Sequence, residues 1–293
     1  MSFRSRLALI AALLWPYAAG AEAVYLQSYR WTVEDPAFGG FSGLEIGPDG
    51  RSFIALSDRG TLWRGAIARG AAQEITGITA THSGLLKQST GAPVALNSGD
   101  SEGLAQGPDG ALYISFEGLA RVSRFDADDA PATLLPRPEA FKQLQNNSAL
   151  EALAIDAQGA LYTLPERSGA LSRPFPVWRL ADGAWTQPFS ITRDGNWLPV
   201  GADFGPDGRL YLVERDFWGL LGFLTRVRVF DLGGDLLTGE VLLQTQAGVH
   251  DNLEGISIWR DAAGLIRISL ISDDNFRFFQ STEIVEYSLP AAE

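Results

Sequence analysis

One phrase returns five times along this chain and limits its fold more than any other feature. It reads SGLEIGPDGRSFIALSDRG from Ser42, SEGLAQGPDGALYISFEG from Ser101 and LEALAIDAQGALYTLPERS from Leu150. VGADFGPDGRLYLVERD follows from Val200, and LEGISIWRDAAGLIRISLISDD from Leu253. Aligned on the turn, the copies start at 42, 102, 151, 200 and 254, a spacing of 49 to 60 residues. Self-similarity at this period is the mark of a propeller or an array, in which each copy is one supersecondary unit.

Each copy reads as a β-hairpin. A short apolar segment enters Pro-Asp-Gly, where proline presets φ and glycine accepts positive φ, and an alternating strand such as 111–116 runs back. A third strand follows at 61–64, 121–125, 177–180, 226–230 and 283–287, and a fourth at 185–191 and 240–244. Four strands in about 50 residues predict an all-β propeller of four-stranded blades. Five blades are visible, and the long first repeat leaves room for a sixth. The last copy ends after its third strand, so the segment 24–33 is expected to supply the missing outer strand and close the ring, which removes two sheet edges at once. Only 138–149 reads as a helix, ending at Asn146-Asn147. A β-sandwich would not repeat at this period.

Residues 1–21 read as a secretory signal rather than fold. Arg4 and Arg6 precede a nine-residue apolar run that Pro16 breaks, and Ala19-Gly20-Ala21 is a small-residue cleavage site. The run is too short for a hydrocarbon core, so no membrane insertion is expected after cleavage. The rest, 22–293, reads as one propeller domain, periplasmic or secreted. The full chain of 293 residues carries −12, and removing the signal takes away two arginines and no acid, leaving −14. Such a surface repels nucleic acid and anionic membrane. The absence of cysteine excludes disulfides, thiolate metal sites and a cysteine nucleophile.

The repeat register assembles a candidate site. In a propeller the first strand of each blade lines the central channel, and Glu102, Glu151 and Glu254 hold the same position on it, so three carboxylates should meet at one mouth. Second strands return to that mouth with Asp58-Arg59, Glu117, Glu166-Arg167, Glu214-Arg215 and Asp273-Asp274, and Asp100, Asn147 and Asp251-Asn252 precede the glutamates. Like charges so placed require a cation. Calcium suits six to eight such oxygens; a ring of arginine ion pairs and a partly protonated empty ring are the other readings. Ser42 and Val200 replace the glutamate in copies one and four, and alternation would turn Glu45 and Asp203, three residues on, to the other face.

Gly99-Asp-Ser-Glu-Gly-Leu, Ala149-Leu-Glu-Ala-Leu-Ala, Pro165-Glu-Arg, Asn252-Leu-Glu-Gly-Ile-Ser and Ile271-Ser-Asp-Asp-Asn together resemble the family described as "esterase-like activity of phytase", exported bacterial propellers, over about 41–287. The resemblance implies hydrolysis of phosphate or carboxylic esters. Similar propellers hold calcium at the channel, which implies Glu102, Glu151, Glu254, Asn147 and Asn252 as ligands. In phosphoester hydrolysis, with Glu102 and Glu254 in the catalytic group, Arg59, Arg167 and Arg215 would clamp phosphate bidentately. For each arginine alone, a salt bridge to its neighbouring acid is the plainer role.

Gly99 to Gly103 also satisfies G-x-S-x-G, with Ser101 and His250 as a formal pair. That motif works on a strand–turn–helix elbow, whereas Ser101 precedes a propeller strand between two acids. His82 reads as a loop residue without a chemical task. A non-catalytic ligand-binding or scaffold propeller with a structural ion is the alternative, since fold does not settle function. Phe276, Phe278 and Phe279 would belong to a ligand mouth or, more plainly, to blade packing.

Overall fold

The computed structural model describes residues 22–95, 99–145 and 148–291. The five repeats form five antiparallel sheets, one per blade. Blade 1 comprises Phe41–Ile46, Ser52–Ser57, Thr61–Arg69 and Ile75–Leu85. Blade 2 comprises Ser101–Gln106, Leu112–Phe116, Arg121–Phe125 and the short Thr133–Leu134. Blade 3 is built from Leu150–Ile155, Leu161–Pro165, Phe175–Ala181 and Ala184–Ile191, with Leu236–Leu237 added in parallel at its edge. Blade 4 holds Leu198–Phe204, Leu210–Phe217, Phe223–Phe230 and Glu240–Gln244. Blade 5 takes Asn252–Arg260, Ile266–Asp273 and Glu283–Ser288 from the end of the chain and Val24–Arg30 from its start.

The closure therefore follows the sequence expectation: Val24 pairs with Ser288 and Arg30 with Glu283. Gln27 reaches from this strand to Glu286 of blade 5 and accepts the Ile75 amide of blade 1. Beside it Arg69 of blade 1 forms a buried two-pronged ion pair with Glu286, at 2.9 and 2.7 Å. The described residues form no sixth blade. The extra length of the first repeat goes into the eleven-residue outer strand Ile75–Leu85 and the crossing that follows, where Lys87 bridges Pro93 and Pro131. The helix is shorter than expected, Glu139–Lys142, and is held by Phe141 wedged against Trp178 and Trp185. His82 is not in a loop. It lies on the outer strand of blade 1, tilted against Trp63 and 3.2 Å from Asp35.

Each turn of the repeat closes as its sequence predicts. In Gly47-Pro48-Asp49-Gly50 the Gly50 amide donates to the Gly47 carbonyl, Gly50 takes φ +64°, and Asp49 accepts the Arg51 and Ser52 amides. The apolar core is divided among five clusters, each drawn from two adjacent blades. Blade–blade packing thus forces the inner strands to converge around one axis, each touching the next in a closed ring.

Candidate functional site

The inner strands share a second irregularity that the repeat does not reveal. In all five blades the pairing of first and second strand slips at the same place, between Phe41 and Gly43, Ser101 and Leu104, Leu150 and Ala152, Pro199 and Gly201, and Leu253 and Gly255. A bulge leaves a residue outside the ladder and re-aims its side chain. Glu102, Glu151 and Glu254 stand within these slips. The small residue that follows permits close approach: a Cβ on Gly103 would lie 2.6 Å from Leu153 Cβ of the next blade, and one on Gly201 2.3 Å from the Glu254 carbonyl.

The result is a polar mouth of about 340 Å³ on the propeller axis, lined by Asp58, Glu102, Glu117, Glu151, Glu166, Arg167, Arg215, Glu254, Asp273 and Asn275. The three expected glutamates thus meet, with acids returned by the second strands of four blades. Arg215 divides them. Its guanidinium donates to Asn252 Oδ1 at 3.0 Å and Glu166 Oε1 at 3.1 Å, and it pairs closely with Glu254 Oε1. Asn252 in turn donates to Glu254 Oε1 at 2.8 Å and Asp273 Oδ2 at 3.3 Å. On this side the ion-pair reading describes the ring, although the partners come from blades 3 and 5 and not from the adjacent Glu214.

Glu214 never reaches the mouth. Wholly buried in blade 4, it accepts from Arg226 and Arg228.

The other side has no such cation. Oxygens of Asp100, Glu102 and Glu117 lie within 4.8 Å of one another, and no Arg or Lys among the described residues pairs with them. Burial, then the charges of Glu151 and Glu254, push Glu102 well above the usual carboxyl range. Burial and Asp100 push Glu117 up to about 7. Burial also raises Glu151, reinforced by Glu166 and Glu117, and it raises Glu254 against the opposing pull of Arg215. Asp58 is raised to about 6 and Asp273 to about 8, again chiefly by burial.

The remaining candidates separate. Asn147 lies outside the described residues. Arg167 lines the mouth half exposed, its Nε 3.2 Å from Glu166 and 3.1 Å from Ser148 Oγ. Arg59 is exposed and lies over the Phe276 ring at 3.3 Å. The structure does not bring Ser101 and His250 together. Ser101 is buried and donates its hydroxyl to the Ser57 carbonyl at 2.8 Å, whereas His250 Nε2 is 2.6 Å from Tyr287 OH and its ring faces a neighbouring cleft. Glu45 and Asp203, read as turned away from the glutamate position, do not line the mouth. They accept the Gln106 and Ile258 amides from the adjoining inner strands, and the charge of Asp203 helps to raise Glu45, so both turn inward. Phe278 and Phe279, expected to pack, are 99% and 66% exposed.

Fold and mouth together define a five-bladed propeller with a carboxylate-lined axial opening. A family profile described as "esterase-like activity of phytase" (phytase-like) matches residues 36–276. The chain belongs to that family. No curated protein matches it. Among solved structures, an α-L-arabinofuranosidase from Podospora anserina aligns over 93% of this chain and 98% of its own, with 13% identity and a TM-score of 0.51. A putative gluconolactonase aligns over 93% and 95% with 14% identity and a TM-score of 0.45. A gluconolactonase from Xanthomonas campestris aligns over 82% and 69% with 15% identity and a TM-score of 0.44. At such identities the arabinofuranosidase supports the architecture, and none of the three carries a substrate across.

Proposed function

We propose that this protein is an exported hydrolase of phosphate or carboxylic esters, acting at the axial mouth with a divalent cation of the calcium type. The carrying observation is the uncompensated cluster of Asp100, Glu102 and Glu117 within 4.8 Å. The donor set fits a hard cation: oxygen only, carboxylate-rich, and set on strands fixed by blade packing. Glu151, at the same mouth, is the next donor in reach. Glu254 and Asn252, committed to Arg215, are positioning residues in this reading. A cation bound there would supply Lewis-acid polarisation of the ester and a more acidic water. Arg167, half exposed at the rim, orients an anionic ester oxygen, for which its planar fork suits better than a lysine.

The test uses the mature protein, whose intact mass should begin at Glu22. Calorimetric titration of the chelated protein with Ca²⁺ should give heat and a raised melting temperature, about 2.7 kcal/mol of stabilisation at a hundredfold excess over Kd. A panel of phosphate and carboxylic esters should be turned over with the cation and not with chelator. Heat without turnover of any ester would leave a structural-ion propeller. The absence of both heat and a thermal shift would overturn the metal reading.

A further inference from the structure

Beside the acidic mouth lies a larger cleft of about 940 Å³ whose character is opposite. Its walls are the connections from second to third strand in blades 4 and 5, which spring from the same end as Arg215 and Asp273, and the crossing between those blades at 248–251. Phe217, Leu220, Phe223, Val249 and Phe279 line it, and the Phe217 and Phe223 rings meet at a tilt of 37° with centroids 4.8 Å apart. Leu220 is fully exposed, and Phe217, Val249 and Phe279 are each more than half exposed. Asn275 lines both cavities, so cleft and mouth are neighbours that meet at this residue.

A soluble surface keeps apolar patches small unless they bind something, and here several large side chains stand in water around one concavity. Its floor is glycine. Gly222 and Gly248 take φ +90° and +74°, and a Cβ on Gly248 would meet the Leu221 carbonyl at 2.9 Å, so the backbone approach that shapes the cleft excludes side chains there. The cleft's arginine, Arg277, lies near the Phe279 ring, 5.8 Å from its centroid. Asp251 and Glu283 line the same cleft and, with a mature charge of −14, disfavour a polyanionic occupant.

We infer that the cleft is the leaving-arm or acyl-arm subsite of the hydrolase, and that the substrate is a weakly charged monoester with an apolar chain or aryl group. The inference rests on the hydrolase reading for the word substrate, and on the cleft alone for the apolar ligand. An ester placed at the mouth has the apolar cleft that holds Leu220 and Phe279 next to it, on the far side of Asn275. Burying each methylene of the arm there should raise kcat/KM about fourfold.

The experiment has two independent arms. In the first, kcat/KM is measured with Ca²⁺ for 4-nitrophenyl acetate, butyrate and hexanoate, and for methyl against 1-naphthyl phosphate. The wild type should prefer the longer or aryl member of each series, and the double variant Leu220→Ser with Phe279→Ser should flatten the preference. Both positions are exposed, so the fold should survive, which circular dichroism of the variant would check. In the second arm, the uncharged fluorophore N-phenyl-1-naphthylamine should brighten on binding the wild type and lose about tenfold or more in affinity for the variant, roughly two buried methylenes. Leu134→Ser, on the edge of blade 2, is the surface control.

If probe binding survives in the wild type and disappears in the variant while no ester is turned over, the hydrolase reading fails and the apolar site stands. Ester turnover with a flat series and no probe binding overturns the subsite and leaves the hydrolase. Co-sedimentation with phosphatidylcholine vesicles, or a dimer dissolved by the double variant, without probe binding would also overturn it and reassign the face.

Discussion

At the scale of single residues, Arg215 decides how the mouth is divided. It sits between Glu166 and Glu254, both buried, so its removal strands two carboxylates next to a third, Glu151. Breaking a buried pair by deleting one partner costs about 3 kcal/mol or more, because the charge left behind has lost its solvent. Arg215→Met should therefore lower the melting temperature by several degrees, at about 2–4 °C per kcal/mol for a domain of this size. Adding Glu254→Gln should recover part of the loss, and an unchanged thermal transition in the single variant would refute the role. The sequence revealed which acids would meet, because repeat register is a covalent fact. It could not reveal that Arg215 crosses to blades 3 and 5 while Glu214 turns into its own blade. Neighbours in a strand point to opposite faces, and which face wins depends on packing that a linear pattern does not contain.

At the scale of elements, the hairpins, their turns and their third strands were legible, since Pro-Asp-Gly and two-residue alternation are local signals. So was the outer strand borrowed from the N-terminus, because the last copy visibly lacked one. The bulges were not. They follow from crowding of inner strands around the axis, and their trace in sequence is only the small residue after Glu102, Glu151 and Glu254. The apolar cleft was missed although FWGLLGF from Phe217 to Phe223 is uncharged where a turn is ordinarily polar. Deleting residues 24–30 tests the closure. It removes the partner of Glu283–Ser288 and the Gln27 link to blade 1, and it bares a strand edge able to template association. The truncated protein should aggregate in size-exclusion chromatography; a monomer with wild-type stability would show that the strand is dispensable.

At the scale of the whole molecule, the buried acids make stability depend on pH in an unusual direction. Asp58, Glu117 and Asp273 are raised to about 6, 7 and 8 from ordinary values of 3.8, 4.5 and 3.8. Folded protein thus holds protons that the unfolded chain has already released. The stability these groups contribute is full below their unfolded values and is lost as pH climbs through the folded ones. Asp49 and Asp261, lowered by hydrogen bonds to backbone amides and, for Asp261, to Arg267, work the other way and penalise strong acid. Without metal the melting temperature should peak in mildly acidic solution and fall towards about pH 8, as scanning calorimetry in chelator would record. Calcium should flatten the fall, because its ligands bind deprotonated. A melting temperature that instead rose steadily to pH 8 in chelator would mean that water reaches these carboxyls.

The five equivalent bulges carry one more consequence. A ring with identical groups at every slot would hold a small molecule in five interchangeable azimuths. Here the slots read Ser42, Glu102, Glu151, Val200 and Glu254, and Arg215 bridges just one sector. The architecture is rotationally repetitive while its chemistry has a single bearing, like a compass rose with one point inked. Anything seated on the axis therefore meets acid and cation in a fixed rotational order, and only one heading satisfies both.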